Sequence, residues 1–157
     1  MLEPGATAPD FLLESLDSPA ARLRDLYSAD AVLFVFFKTA CPTCQYTFPF
    51  LDRLNRNRAD GSPRIVAISQ DDRADTRGFH TEFGIALPTL LDREDELYPA
   101  SNAYGISHVP SMFMVETDGR ISWTSTGFSR RDLEQLGLRL GAEAFQEGDY
   151  VPEWKSG

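Results

Sequence analysis

The sequence predicts an α/β fold, and three observations carry that prediction. Two strand-length apolar runs, Ala31 to Lys38 and Arg64 to Ser69, flank a stretch whose apolar residues recur at helical spacing. A helix between two such strands makes a right-handed βαβ crossover with parallel strands. Thr117-Asp118-Gly119-Arg120 forms a turn signature between the apolar runs Ser111 to Glu116 and Ile121 to Ser125, which adds an antiparallel hairpin. The only two cysteines, Cys41 and Cys44, lie where the first run hands over to the helix.

Taken in order, Gly5 to Leu13 reads as an extended segment leading into a short strand, with a turn at Ser18-Pro19 and a brief helical turn at Leu23, Leu26 and Tyr27. Ala31 to Lys38 lacks clean alternation, which suits a strand covered on both faces. After the cysteines, Cys44, Phe48, Leu51 and Leu54 mark one buried face of a helix reaching about Arg58. Pro49 lies inside it and is expected to kink it. Asp71 to Phe83 reads as a helix with Phe79 and Phe83 on one face, although Gly78 weakens it. Pro88 to Leu91 reads as a short strand, and Pro99 as the first residue of a helix ending at Tyr104-Gly105. Ser129 with Asp132 resembles an N-cap arrangement for a last helix that buries Leu133, Leu136 and Leu140. The expected organisation is one domain over residues 1–147 and a patternless C-terminal tail over 148–157, whose Trp154 either docks or stays exposed.

Composition narrows the function classes. Twenty-four acidic against 15 basic residues give a net charge of −9, which argues against nucleic acid as a partner. No apolar run approaches membrane-spanning length. The opening Met1-Leu2-Glu3-Pro4-Gly5 lacks the basic region and apolar core of a signal peptide. The chain as given therefore reads as cytoplasmic, and as periplasmic or exported if a leader has been removed. A monomer is expected.

The cysteine pair carries the chemistry. Unpaired N–H groups and aligned peptide dipoles at a helix N-terminus favour negative charge on a sulfur placed there. Cys41, closest to that field, is the expected attacking nucleophile. Cys44, one turn on and more covered, is expected to resolve the mixed disulfide. Pro42 stands in the first turn, where a missing N–H costs nothing. Metal binding and a purely structural disulfide compete with this redox reading. Two cysteines without a second Cys-x-x-Cys or a paired histidine cluster do not complete a structural zinc site.

Four motifs in order carry a resemblance: Gly5-x-x-Ala8-Pro9-Asp10-Phe11; Phe36-Phe37-x-x-x-Cys41-Pro42-x-Cys44 with Pro49 beyond; Tyr104-Gly105-Ile106-x-x-Val109-Pro110; and Phe113-Met114-Val115-x-x-Asp118-Gly119-Arg120-Ile121. The set resembles the redoxin branch of the thioredoxin superfamily, most closely the TlpA/ResA-type thiol–disulfide oxidoreductases. The resemblance implies a thioredoxin-like fold: a central mixed β-sheet flanked by helices, an N-terminal β-hairpin extension, and an inserted α/β segment around 71–91. It also implies a cis Val109-Pro110 peptide facing the cysteines, in a loop that pairs with an incoming peptide.

Two positions depart from the family pattern. The buried acid six residues before the first cysteine is Val35 here, and the glutamate three residues after the second is Thr47. Water or Thr47 would then have to assist the resolving thiol. The resemblance places Val109 and Pro110 by the cysteines, Pro42 and Thr43 surround the reacting sulfur, and Lys38 beside the active-site turn reads either as a source of positive potential or as a strand-end lysine reaching solvent. His108, two residues before Pro110, would hang near the cysteines as a base, a cation, a solvent-facing loop residue or a third ligand. Two thiolates and one imidazole suit copper, so a Sco-type copper-delivery protein using Cys41, Cys44 and His108 is the alternative. A thiol peroxidase fits less well, because Thr39 is only two residues before Cys41. His80 reads as structural or solvated. The expectation is thus an enzyme exchanging dithiol and disulfide with protein partners through Cys41-Pro42-Thr43-Cys44, with no cofactor beyond its redox-active cysteines.

Overall fold

The computed structural model describes residues 1–157. The strands are β1 (Leu12–Ser15), β2 (Ala21–Arg22), β3 (Val32–Phe37), β4 (Arg64–Ser69), β5 (Thr89–Leu91), β6 (Ser111–Val115), β7 (Ile121–Thr126), β8 (Phe128–Ser129) and β9 (Trp154–Lys155). The helices are α1 (Leu23–Leu26), α2 (Pro42–Asn57), α3 (Arg73–Phe83), α4 (Pro99–Tyr104) and α5 (Arg130–Leu140). Seven strands form one mixed sheet in the order β2-β1-β5-β4-β3-β6-β7, and β8 pairs with β9 separately.

β3 is the axis of the sheet. It runs parallel to β4 and antiparallel to β6, and all six of its residues are fully buried. Side chains alternate across a strand, so Leu33, Val35 and Phe37 join the cluster under α2 and α5, while Val32, Phe34 and Phe36 join the cluster beneath α4 and β1. Each such burial stabilises the fold by roughly 1.5–3 kcal/mol. The missing polar alternation in this run is therefore the mark of helices on both faces.

The expected crossover is present: β3, α2 and β4 follow one another and the two strands are parallel. The N-terminal hairpin is β1 paired antiparallel with β2, and β1 joins the main sheet through β5. The inserted segment supplies α3 and β5, and β5 lies parallel to β4, between it and the hairpin. Its helix is capped by Asp72, whose carboxylate accepts from the Asp75 N–H, and it stops at Gly84 in the left-handed conformation. His80 packs its Nε2 2.9 Å from the Thr89 hydroxyl, a structural role.

The tail differs from expectation. Residues 148–157 carry no periodic pattern, yet β9 pairs antiparallel with β8, in register Phe128 with Lys155 and Ser129 with Trp154. The pairing is decided by backbone groups, which composition does not report. Trp154 itself remains 60% exposed.

Candidate active site

α2 opens on the cysteine motif. Pro42 is its first residue, and Cys41 is the N-cap residue, extended at φ −80° and ψ 115°. The Cys41 Sγ accepts a hydrogen bond from the Cys44 backbone N–H at 3.2 Å, taking up one of the free donors of the helix start. Both cysteines are free thiols; Cys41 is half-buried, and Cys44 is fully enclosed in the core that holds Phe37 and Phe48. Burial pushes the Cys44 thiol well above the ordinary range. Its hydrogen bond with the Cys41 sulfur and the charges of Cys41 and Asp71 add to that shift. One sulfur is presented and the other is withheld.

Side chains absent from the expected site hold the turn before Cys41. The Asp71 carboxylate accepts from the Thr39 N–H at 2.7 Å, and the Gln45 side-chain amide donates to the Thr39 carbonyl at 2.9 Å. The Cys41 N–H donates to the Lys38 carbonyl at 3.3 Å. Asp71 lies just past the end of β4 and the turn just past the end of β3, two parallel neighbours. In open α/β sheets, sites form at those carboxyl ends. That rule was the available signal for Asp71, since its partner is 32 residues away in sequence.

The Val109-Pro110 peptide is cis, as the resemblance implied. Cys41 Sγ donates to the Val109 carbonyl at 3.5 Å, which brings the loop against the cysteine. A cleft of about 410 Å³ lies there, with Lys38, Cys41, Ser101, His108, Val109 and Gly157 among its walls. One wall is set from a distance. Fully buried Asp92 accepts from the N–H groups of Ala100 and Ser101 at 3.0 and 2.7 Å, capping the start of α4, and from the Ser101 hydroxyl at 2.6 Å.

The remaining expected residues divide. Lys38 and His108 are exposed at the rim of this cleft. Pro110 is buried, and its carbonyl accepts from the Gly127 N–H at 2.8 Å. Thr47 is buried with its hydroxyl donated to the Thr43 carbonyl at 2.6 Å, a bond inside α2. Cys41, Cys44 and His108 are not gathered into a cluster of metal-binding groups. Cys44 is sealed in the core, and the His108 Nδ1 lies 3.0 Å from the Ser107 hydroxyl. The Thr43 hydroxyl donates to the Ser156 carbonyl at 2.5 Å.

The redoxin family model matches residues 3–137, most of the chain and all of this constellation except the 148–157 segment. The chain belongs to the redoxin family. Within it, this redoxin is similar to the thiol-disulfide oxidoreductase ResA of Geobacillus thermodenitrificans, 29% identical over 133 residues that cover 83% of this chain and 74% of that protein. ResA of Bacillus subtilis is 26% identical over 124 residues, covering 78% and 67%. The fold is shared with the thioredoxin domain of a thiol-disulfide oxidoreductase from Bacteroides vulgatus, at a TM-score of 0.77 and 22% identity, covering 88% of this chain and 97% of that one. It is shared equally with a thiol:disulfide interchange protein from Bacteroides sp., at a TM-score of 0.77 and 20% identity, covering 95% and 96%. The chain is a ResA-like member of the thioredoxin superfamily. No helix is long and apolar enough to cross a membrane.

Proposed function

We propose that this redoxin is a thiol–disulfide oxidoreductase that exchanges electrons with protein partners through Cys41 and Cys44. The carrying observation is the asymmetry of the pair: Cys41 is half-buried at the α2 N-cap in an open cleft, and Cys44 is fully buried one turn away. In the reductive direction, the Cys41 thiolate attacks one sulfur of the partner's disulfide. That S–S bond breaks, the partner's first thiolate leaves, and a mixed disulfide forms. The Cys44 thiol then gives up its proton to solvent and attacks the Cys41 sulfur. The Cys41–Cys44 disulfide forms as the second partner thiolate departs. The partner gains two electrons and the cysteine pair loses two; oxidation of a dithiol is the same sequence reversed.

Lys38 adds positive potential at the mouth of the cleft, the backbone around Val109 and Pro110 meets the partner's peptide, and Pro42 and Thr43 shape the surroundings of the Cys41 sulfur. His108, exposed at the rim, meets the partner rather than a metal. One chain supplies both sulfurs, so a monomer suffices, and the direction of flow follows from the potential of the pair and not from the geometry. No prosthetic group enters these steps.

The test is reduction of a protein disulfide by the dithiol form. Cys41→Ser is expected to lose turnover to background, and Cys44→Ser to accumulate mixed disulfides visible on non-reducing gels. Full activity in both variants would overturn the reading.

A further inference from the structure

The segment after Asp149 lies across the mouth of the site. The Tyr46 hydroxyl donates to the Tyr150 carbonyl, and Arg130 donates to the Val151 carbonyl and pairs with Glu153 at 2.8 Å. The Arg130 N–H donates to the Glu153 carbonyl at 3.0 Å, and β9 continues the pairing along β8. The Lys155 ammonium then sits 5.0 Å from the centre of the Tyr46 ring, and the Ser156 carbonyl accepts from Thr43, one of the two residues between the cysteines. Gly157 reaches the Cys41 cleft, so close to Val109 that a methyl group on it would overlap the Val109 carbonyl oxygen. Gly127 is constrained in the same way: at φ +71° it leaves room for the Lys155 carbonyl, which a methyl group there would approach to 2.5 Å.

An extended segment, paired edge to edge with a strand and ending against the carbonyl that faces the reactive sulfur, has the geometry of strand addition. We infer that residues 154–157 occupy the seat of the partner's peptide, so the chain carries a resident occupant of its own docking groove. Rested on the oxidoreductase reading above, this names both the partner's chemistry and a control on access. The groove takes an extended segment antiparallel to β8, with a cation over Tyr46 and, two residues on, a small residue against Val109. A protein partner has to displace 154–157 first, so its apparent rate is scaled down to the fraction of time the groove is open. A small reagent needs no strand pairing and reaches Cys41 from the Lys38 and His108 side of the cleft. The contacts holding residues 154–157 are a cation over a ring, the Thr43 hydrogen bond to the Ser156 carbonyl and a short ladder, each individually weak, so the strap can lift while the fold stays intact.

The experiment compares the full chain, a variant lacking residues 154–157, and full-length Lys155→Pro, which removes an N–H from β9. Removal is expected to raise the rate with a protein disulfide about tenfold, a strap closed most of the time. The rate of alkylation at Cys41 by iodoacetamide should change much less. The synthetic peptide Pro-Glu-Trp-Lys-Ser-Gly, added in trans at millimolar concentration to match the effective concentration of the tethered segment, should slow the shortened variant again. The same peptide carrying Gly157→Val should not. Equal protein-disulfide rates in the full chain and both variants, or equal inhibition by the two peptides, would overturn the inference. If no form of the chain reduces the protein disulfide, the oxidoreductase reading fails instead. The strap is then decided by whether the parent peptide, and not its Gly157→Val form, blocks a bulky maleimide at Cys41 of the shortened variant.

Discussion

Two strands act on Cys41, and they are built in opposite ways. β3 delivers the cysteine from below: six fully buried residues, paired on both sides, with apolar clusters on both faces. β9 leads Ser156 and Gly157 to the mouth of the cysteine's cleft: two exposed residues, paired on one side only, and tied down by a short ladder and a cation over the Tyr46 ring. The free energy of β3 is hydrophobic and shared with the whole core, so it cannot be withdrawn without unfolding. That of β9 is polar, local and in competition with water, so it can be withdrawn alone. On the proposed function, the first kind of strand holds the sulfur and the second kind guards it.

The comparison breaks if the two regions respond alike to damage. Phe37→Ala empties a site between Phe48 and Phe79, whose rings stand 4.4 and 5.0 Å from its own. It is expected to cost about 3–5 kcal/mol of unfolding free energy in a denaturant titration. Asp92→Ala strips three hydrogen bonds from the buried start of α4 and should cost about 2–3 kcal/mol, because donors to a charged acceptor are left without a partner. It should also loosen the Ser101 side of the cleft, read as faster iodoacetamide alkylation at Cys41. Losing residues 154–157 should change stability by less than about 1 kcal/mol, since it removes only a short exposed ladder and a cation over the Tyr46 ring. A loss as large as that of Phe37→Ala would make β9 part of the core and remove the distinction.

The two sulfurs sharpen the same contrast through pH. Burial raises the Cys44 thiol above its ordinary range, so it is protonated at neutral pH and its reactive thiolate grows about tenfold for each pH unit gained below that raised value. Resolution of a preformed Cys41 mixed disulfide should therefore keep accelerating from pH 6 to pH 9, followed by stopped-flow release of a chromogenic thiol. A plateau near pH 7 would mean that a neighbouring base takes the Cys44 proton or that the thiol is not held above its ordinary range, against its enclosure.

A smaller effect belongs to the surface. The Arg139 guanidinium holds the Glu116 carboxyl below the usual carboxylate range. A depressed folded-state value means that the unfolded chain binds the proton more readily. The pair's contribution is therefore complete above about pH 4.5 and is lost as pH falls through the lower folded value. Arg139→Gln should flatten the acid side of the stability profile by a few tenths of a kcal/mol.

By itself the sequence determined the elements that are read from short-range pattern. The apolar run at Val32 to Phe37 specified a two-faced central strand, the spacing of Cys44, Phe48, Leu51 and Leu54 specified the face of α2, and the cysteine pair at their junction marked where the proposed chemistry would lie. Val109-Pro110 was legible because an ordered set of motifs carried the family resemblance, not because any single residue did. Side-chain burial has a period, 2 in strands and 3.6 in helices, and a period survives in one dimension. The tertiary structure alone decided which polar groups meet. Asp71 and Gln45 bracket Thr39, Asp92 caps α4, Thr47 spends its hydroxyl inside α2, His108 stays apart from Cys44, and a segment without pattern pairs with β8 beside Cys41. Hydrogen bonds are short-ranged and directional, and whether the partners lie four residues apart, as Thr47 and Thr43 do, or 32, as Asp71 and Thr39 do, no period in the sequence marks them.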